Sequence, residues 1–186
     1  MNVPEFKIYT GPMFGGKTTR LLADLERYQY QNKKTILFKP SIDQRYSTGS
    51  VSTHKGQKVQ SFSVVDGAQI AAKSSDFDII AVDEMFMIPH SADALLELFS
   101  FGKTILVSTL QLTSHPYSLS EVSKIMPFAT KIEICPAVCA KCEKDAYYTR
   151  RLAKGSGEVQ LGGKESYQPL CFNHFTEIKN IKTYLN

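Results

Sequence analysis

The sequence predicts an α/β domain, a parallel sheet with helices on its faces, followed by a small metal-stapled C-terminal segment. Three observations predict it. Short strands apolar on both faces alternate with helical periods as far as Cys135. A glycine-rich loop joins the first strand to the first helix. All four cysteines fall in the last third of the chain, where the strand–helix texture stops.

The elements follow in order. Phe6 to Thr10 (FKIYT) is an apolar run that breaks at Gly11-Pro12, and from Lys17 the pattern turns helical through Leu21, Leu22, Leu25 and Tyr28. A second strand, Thr35 to Phe38, stops before Pro40. Ser41 to Gln60 is polar, has no apolar period and is expected to be a mobile loop. Then come a strand in Phe77 to Val82 (FDIIAV), a helix from Ser91 to Phe101, a strand at Thr104 to Ser108 (TILVS), a helix around Leu119 to Met126 and a strand at Lys131 to Cys135. Parallel strands need long crossovers that cover both faces of the sheet, which is why such strands read as continuous apolar runs. After Cys135 the chain carries paired cysteines, Tyr147, Tyr148 and a glycine-rich stretch (Gly155, Gly157, Gly162, Gly163), with no clear helix. The expected division is an α/β domain over 1–135 and a metal-stapled segment with its tail over 136–186.

With 186 residues, 42% hydrophobic and 22% charged, the chain has the size and balance of one folded globule, which excludes disordered and fibrous classes. No window reaches the roughly 18 apolar residues of a membrane helix. Glu5 and Lys7 stand where a signal peptide would need an apolar stretch, so a cytoplasmic location without membrane attachment is expected. The net charge of +4 is dispersed rather than massed in a basic stripe. That favours a small anionic ligand, and no stable nucleic-acid binding is expected.

Gly11, Pro12, Met13, Phe14, Gly15, Gly16, Lys17 and Thr18 fit the phosphate-loop pattern G-x-x-x-x-G-K-[ST], placed between a strand and a helix. The glycines let backbone N–H groups turn toward anionic oxygens, the helix start adds its positive dipole end, Lys17 reaches the β and γ phosphates, and Thr18 is left for Mg2+. The fold class is therefore a P-loop (RecA-like) parallel sheet. The apolar run ending in Asp83-Glu84 supplies two carboxylates at a strand terminus, where successive side chains diverge. Asp83 is assigned to magnesium and Glu84 to proton abstraction; a solvated acid, or an acid that polarises water as in nucleotide hydrolases, is the competing reading of Glu84. Cys139-x2-Cys142 and, after 28 intervening residues, Cys171-x2-His174 form a four-ligand zinc set. With no ligand position left for substrate, that zinc is structural, stapling a segment expected to be too small for a core of its own. Cys135, at the end of a strand, reads as a buried thiol.

These residues resemble the type II thymidine kinases, the zinc-containing cytosolic kinase family of animals, many bacteria and large DNA viruses. The motifs that carry the resemblance are Gly11 to Thr18, Asp43-Gln-Arg45-Tyr46 with Thr53-His54, Val82-Asp83-Glu84, the Cys139/Cys142 pair, Ala146 to Leu152, and Gly162 to Tyr167 running into Cys171. The resemblance implies transfer of the γ-phosphoryl group of ATP to the 5′-hydroxyl of thymidine, in a homotetramer. It implies that Glu84 is the base, that Arg45 is the cation beside the transferring group and that Asp43 steadies the Arg45 loop at the ATP site. It also implies a lasso over the nucleoside formed by Glu158, Val159, Gln160, Leu161, Gly162 and Gly163, with Tyr167 packing nearby and Met13 and Thr149 beside the base. Glycines at 162 and 163 would suit backbone readout, with an ordinary loop turn as the competing reading.

Two stretches depart from the family pattern. Met85-Phe86-Met87-Ile88 replaces a segment that usually contains Gln, and Leu110 to Ser114 with a shortened His115-Pro-Tyr117 replaces one that usually carries an aromatic. Both are expected to line the nucleoside pocket. The alternatives to a kinase are a DNA-dependent P-loop ATPase that uses its zinc element as a finger, for which Arg150-Arg151 is the one basic pair, and a nucleotide-binding homologue with weak kinase activity.

Overall fold

The computed structural model describes residues 3–42, 50–52, 58–112, 119–152, 163 and 165–178. Along the chain run β1 (Phe6–Thr10), α1 (Lys17–Tyr30), β2 (Thr35–Pro40), β3 (Ser50–Ser52), β4 (Lys58–Gln60), β5 (Phe62–Val64), α2 (Gly67–Lys73), β6 (Ile79–Val82), α3 (Ser91–Ser100), β7 (Thr104–Ser108), α4 (Ser120–Ile125) and β8 (Lys131–Ile134). Six of these strands form one sheet in the order β5-β2-β6-β7-β1-β8. Every pairing within it is parallel.

Alternation along each strand explains why both faces are apolar. On one face Ile8, Phe38, Ile80, Val82, Ile105 and Val107 pack against Ile70 of α2, Ala92, Leu95 and Leu98 of α3 and Ile125 of α4. On the other, Tyr9, Leu37, Ile79, Ala81 and Leu106 pack against Leu21, Leu22 and Leu25 of α1. Each fully buried aliphatic side chain here contributes about 1.5–3 kcal/mol relative to an exposed one. The buried stripe of α1 fixes its start directly over the sheet's carboxyl edge, where ligands bind in open α/β folds.

The expected parallel α/β sheet is therefore observed, with differences in detail. Ser50–Ser52 and Lys58–Gln60 pair antiparallel inside the stretch expected to be only loop. β5 and α2 go beyond the elements that apolar periodicity indicates, because both are short. The signal for α2 lies in its cap: the Asp66 carboxylate accepts from the Gln69 N–H at 3.0 Å while the Gln69 side-chain oxygen accepts from the Val65 N–H at 3.1 Å.

Beyond β8 the chain forms two small antiparallel pairs, β9 (Ala137–Val138) with β10 (Asp145–Ala146) and β11 (Tyr148–Arg151) with β12 (Tyr167–Leu170). Contrary to the expectation of no core, Ala137, Cys139, Ala146, Leu170, Cys171 and Phe175 bury together there. Tyr148 stacks on Phe175 with ring centroids 4.9 Å apart.

Gly67, at the start of α2, lies so close to the turn before α3 that a Cβ would stand 2.0 Å from the His90 carbonyl oxygen. Gly67→Ala is therefore expected to cost about 1–3 kcal/mol by overpacking, read as a lowered unfolding midpoint in denaturant with an unchanged slope.

Candidate functional site

The site lies at the carboxyl ends of β1, β6 and β7. After β1 the chain turns sharply at Gly11, whose φ of 135° is closed to other residues. A Cβ at Gly11 would meet the Cys135 carbonyl oxygen at 2.4 Å. That carbonyl belongs to the residue just past β8, whose N–H donates to the Thr10 carbonyl at 2.7 Å, so the loop rests on the neighbouring strand's end. Phe14 and Gly16 take left-handed conformations, φ 68° and 76°, which turn the loop over before α1 begins at Lys17. No side chain caps the 14-residue helix α1, whose first turn and positive dipole end follow directly on the loop, the arrangement that receives phosphate. Lys17 is buried and its Nζ donates to the Pro12 carbonyl at 2.7 Å, bracing the loop.

Across the cleft, Thr18 Oγ1 donates to Asp83 Oδ1 at 2.8 Å. Asp83 is 7% exposed and directly follows β6. Glu84 is half-buried in a left-handed conformation, φ 51°, and its N–H donates to Ser108 Oγ at 3.0 Å. The Ser108 hydroxyl in turn donates to Asp83 Oδ1. A hydroxyl and a carboxylate are hard oxygen donors, and their placement beside a phosphate loop fits a magnesium ion. Chemically the arrangement can hold a nucleoside triphosphate and its cation on one side and a proton acceptor next to it.

The segment after β8 reaches back to this loop. The Met13 N–H donates to Thr149 Oγ1 at 2.9 Å, and Phe14 packs on the small core around Cys139 and Phe175. The Gln111 amide nitrogen donates to the Tyr147 carbonyl at 2.8 Å, a second tie between the sheet's edge and this segment.

Cys139, Cys142, Cys171 and His174 converge, with donor atoms all within 4.8 Å of one another. Cys142 and Cys171 Sγ are 3.7 Å apart, and His174 Nδ1 is 3.3 Å from Cys171 Sγ and 3.6 Å from Cys139 Sγ. Tetrahedral zinc with sulfur at about 2.3 Å and nitrogen at about 2.0 Å puts donors about 3.5–3.8 Å apart. The four residues thus form a site that can hold zinc, with Nδ1 as the imidazole ligand. Burial pushes the Cys139 thiol up, but backbone N–H groups of Cys171, Lys141 and Cys142, together with the His174 ring, outweigh it and bring the thiol down to about 6. Cys135 stays apart from this cluster: it is buried, and burial pushes its thiol up.

A family model described as thymidine kinase matches residues 5–175. The chain belongs to the thymidine kinase family. It is 36% identical over 179 residues to a thymidine kinase of Pyrobaculum aerophilum, covering 90% of this chain and 96% of that one. It is 33% identical over 181 residues to one of Thermococcus kodakarensis, covering 90% and 92%, and 32% identical over 171 residues to one of Sheeppox virus, covering 92% and 96%.

Of the site residues expected of a thymidine kinase, the structure brings Gly11 to Thr18, Asp83 and Glu84 together at one edge, joins Met13 to Thr149, and buries Tyr167 on β12. Asp43, Arg45, Tyr46, Thr53, His54, Glu158, Val159, Gln160, Leu161 and Gly162 lie outside the described residues, as do Ser114 to Tyr117. Gly163 has no left-handed backbone, and a Cβ there would meet Glu165 Oε2 at 2.8 Å. The expectation that Met85 to Ile88 line the pocket needs correction. Met85 and Ile88 are 0% and 1% exposed in the core on the α3 face, because the 3-10 turn at 85–87 points them inward; Phe86 and Met87 are half-buried. Arg150 is committed to an ion pair: its Nε and Nη2 bind the two oxygens of Glu177, each at 2.9 Å, and Nη2 also donates to the His174 carbonyl at 3.0 Å.

Sequence reasoning missed two residues. Ser108 closes an apolar strand and reads as nothing more. Lys39 is 6% exposed one step beyond the Phe38–Val82 pair, level with Asp83; a lysine at the end of an otherwise apolar strand is the signal that could have found it.

Gly11→Ala combines a forbidden φ with a collision against backbone, and should weaken ATP binding about tenfold or more, measured by titration calorimetry. The Arg150 guanidinium holds the Glu177 carboxyl below its usual range. A depressed carboxyl contributes stability above its unfolded value and loses it as pH falls through the folded one. Glu177→Gln should therefore be about 1 kcal/mol less stable than the parent at pH 7 and release zinc faster to a chelator, with the stability gap closing below about pH 4.

Proposed function

We propose that this chain phosphorylates the 5′-hydroxyl of thymidine with ATP, giving dTMP for deoxynucleoside salvage and DNA synthesis. The observation that carries the reading is the Thr18–Asp83 hydrogen bond across the mouth of the phosphate loop, with a second carboxylate, Glu84, at the next position. Family membership supplies the nucleoside, and the paired acids supply the chemistry.

In this reading the loop amides from Gly11 to Gly16 and Lys17 hold the phosphates of ATP. Thr18 and Asp83 would hold Mg2+ with their side-chain oxygens. Magnesium, when bound, neutralises charge on the β and γ phosphates. Glu84, half-buried beside Asp83, accepts the proton of the 5′-hydroxyl. The family resemblance implies that Arg45 is the cation beside the transferring group with Asp43 steadying its loop, and assigns Glu158 to Gly163, Tyr167, Met13 and Thr149 to the nucleoside.

The division of labour is between residues 1–135, which hold ATP, and 136–186, which form a zinc-stapled lid. Zinc at Cys139, Cys142, Cys171 and His174 stiffens that lid against the loop through the Met13–Thr149 bond and Phe14. Exclusion of water by such a lid favours transfer over hydrolysis of ATP. A homotetramer acting in the cytoplasm on a free nucleoside, without nucleic acid or membrane, completes the reading; among the described residues no helix is long and apolar enough to cross a membrane.

Incubation with labelled ATP and each deoxynucleoside in turn tests it. Labelled dTMP is the expected product, and ADP formed without any nucleoside monophosphate would refute the kinase reading. Glu84→Gln keeps the shape and removes the base, so it should bind ATP normally and lose about two to four orders of magnitude in turnover. Undiminished transfer would sink the assignment of Glu84.

A further inference from the structure

Ser108 stands where the two acids meet. It ends β7, the strand that lies between β1 and β6, and it is 0% exposed. Its register against Tyr9 and the adjoining pair Val82–Val107 set it beside both the phosphate loop and the end of β6. A serine hydroxyl has one proton. The Glu84 N–H donates into Ser108 Oγ, so that proton is directed at Asp83 Oδ1. Thr18 donates to the same oxygen from the opposite side of the cleft. An ionised carboxylate can only accept, so two hydroxyls from α1 and β7 converge on one oxygen and fix the plane of the Asp83 carboxylate. Meanwhile Glu84 has left the sheet ladder in a left-handed conformation that non-glycine residues adopt only when held, and Ser108 Oγ accepts its N–H there.

We propose that Ser108 is a positioning residue for phosphoryl transfer: one buried hydroxyl sets the orientation of the carboxylate that serves magnesium and the backbone of the residue that takes the proton. The proposal rests on the roles of Asp83 and Glu84 given above. No bond to substrate is involved. Ser108 acts through its two neighbours, and its loss leaves phosphate contacts at Gly11 to Lys17 in place.

The test uses Ser108→Ala in the full chain, with ATP affinity measured by titration calorimetry in EDTA and in saturating Mg2+, alongside turnover and the Mg2+ concentration for half-maximal activity. Partners of this kind, one shell out from a metal, change affinity or activity by about 10–100-fold when removed. The expected result is unchanged affinity in EDTA, loss of most of the gain in affinity that Mg2+ gives the parent, a half-activation concentration raised about tenfold and turnover lowered about tenfold. Values within twofold of the parent for the Mg2+ gain and for turnover would overturn the proposal. So would affinities that fall equally with and without Mg2+, the mark of a merely structural role. Asp83→Asn, measured in parallel, separates the layers. If Asp83→Asn keeps the parent's Mg2+ gain, the magnesium role of Asp83 fails. If Asp83→Asn loses the gain and Ser108→Ala keeps it, the role of Ser108 alone fails.

Discussion

The hydrogen bond from Thr18 to Asp83 joins the first turn of α1 to the end of β6 across the intervening β7. Nearly every other feature of the site depends on the geometry this bond reports. α1 must start over the sheet's carboxyl edge, and it does so because Leu21, Leu22 and Leu25 bury against Leu37, Ala81 and Leu106. β6 must end level with the loop, which its pairing with β2 and β7 enforces. A shift of one residue in either register would turn Asp83 to the opposite face and leave Thr18 without its acceptor. The apolar core thus fixes, to within a hydrogen bond's tolerance, the distance between a phosphate cradle and a pair of acids.

The segment after β8 is coupled to the same place by different forces. Its small core takes in Phe14 of the loop, and Thr149 accepts the Met13 N–H, so the zinc-capable cluster and the phosphate loop share a boundary two residues wide. A cluster of six buried residues is a modest source of stability by itself. Around it stand four convergent side chains that could hold zinc and the Arg150–Glu177 ion pair, whose arginine also donates to the His174 carbonyl.

Much of this was legible in the sequence, for reasons that differ by element. The main strands of the sheet and helices α1 and α3 are visible because each carries enough apolar residues to show a period. β5 and α2 escape that test by length, and α2 is announced only by the reciprocal cap at Asp66 and Gln69. Cys139, Cys142, Cys171 and His174 are legible as a zinc-capable set because their pairwise spacing is that of such sites. Met85 and Ile88 mislead, since four large apolar residues after a pair of acids suggest a pocket wall, whereas a 3-10 turn sends the first and last into the core.

What the sequence determined by itself is the inventory of local devices: a glycine loop between strand and helix, two carboxylates closing an apolar run, and two short-spaced ligand pairs. Each is defined within a handful of residues, so its meaning survives without knowledge of the fold. What tertiary structure alone decided is which devices touch. Ser108 serves both acids, and the Cys135 carbonyl underlies Gly11, because β7 lies between β1 and β6 and β8 lies beside β1. Neighbours in a parallel sheet are chosen by crossover paths that span many residues, and no local pattern encodes that choice.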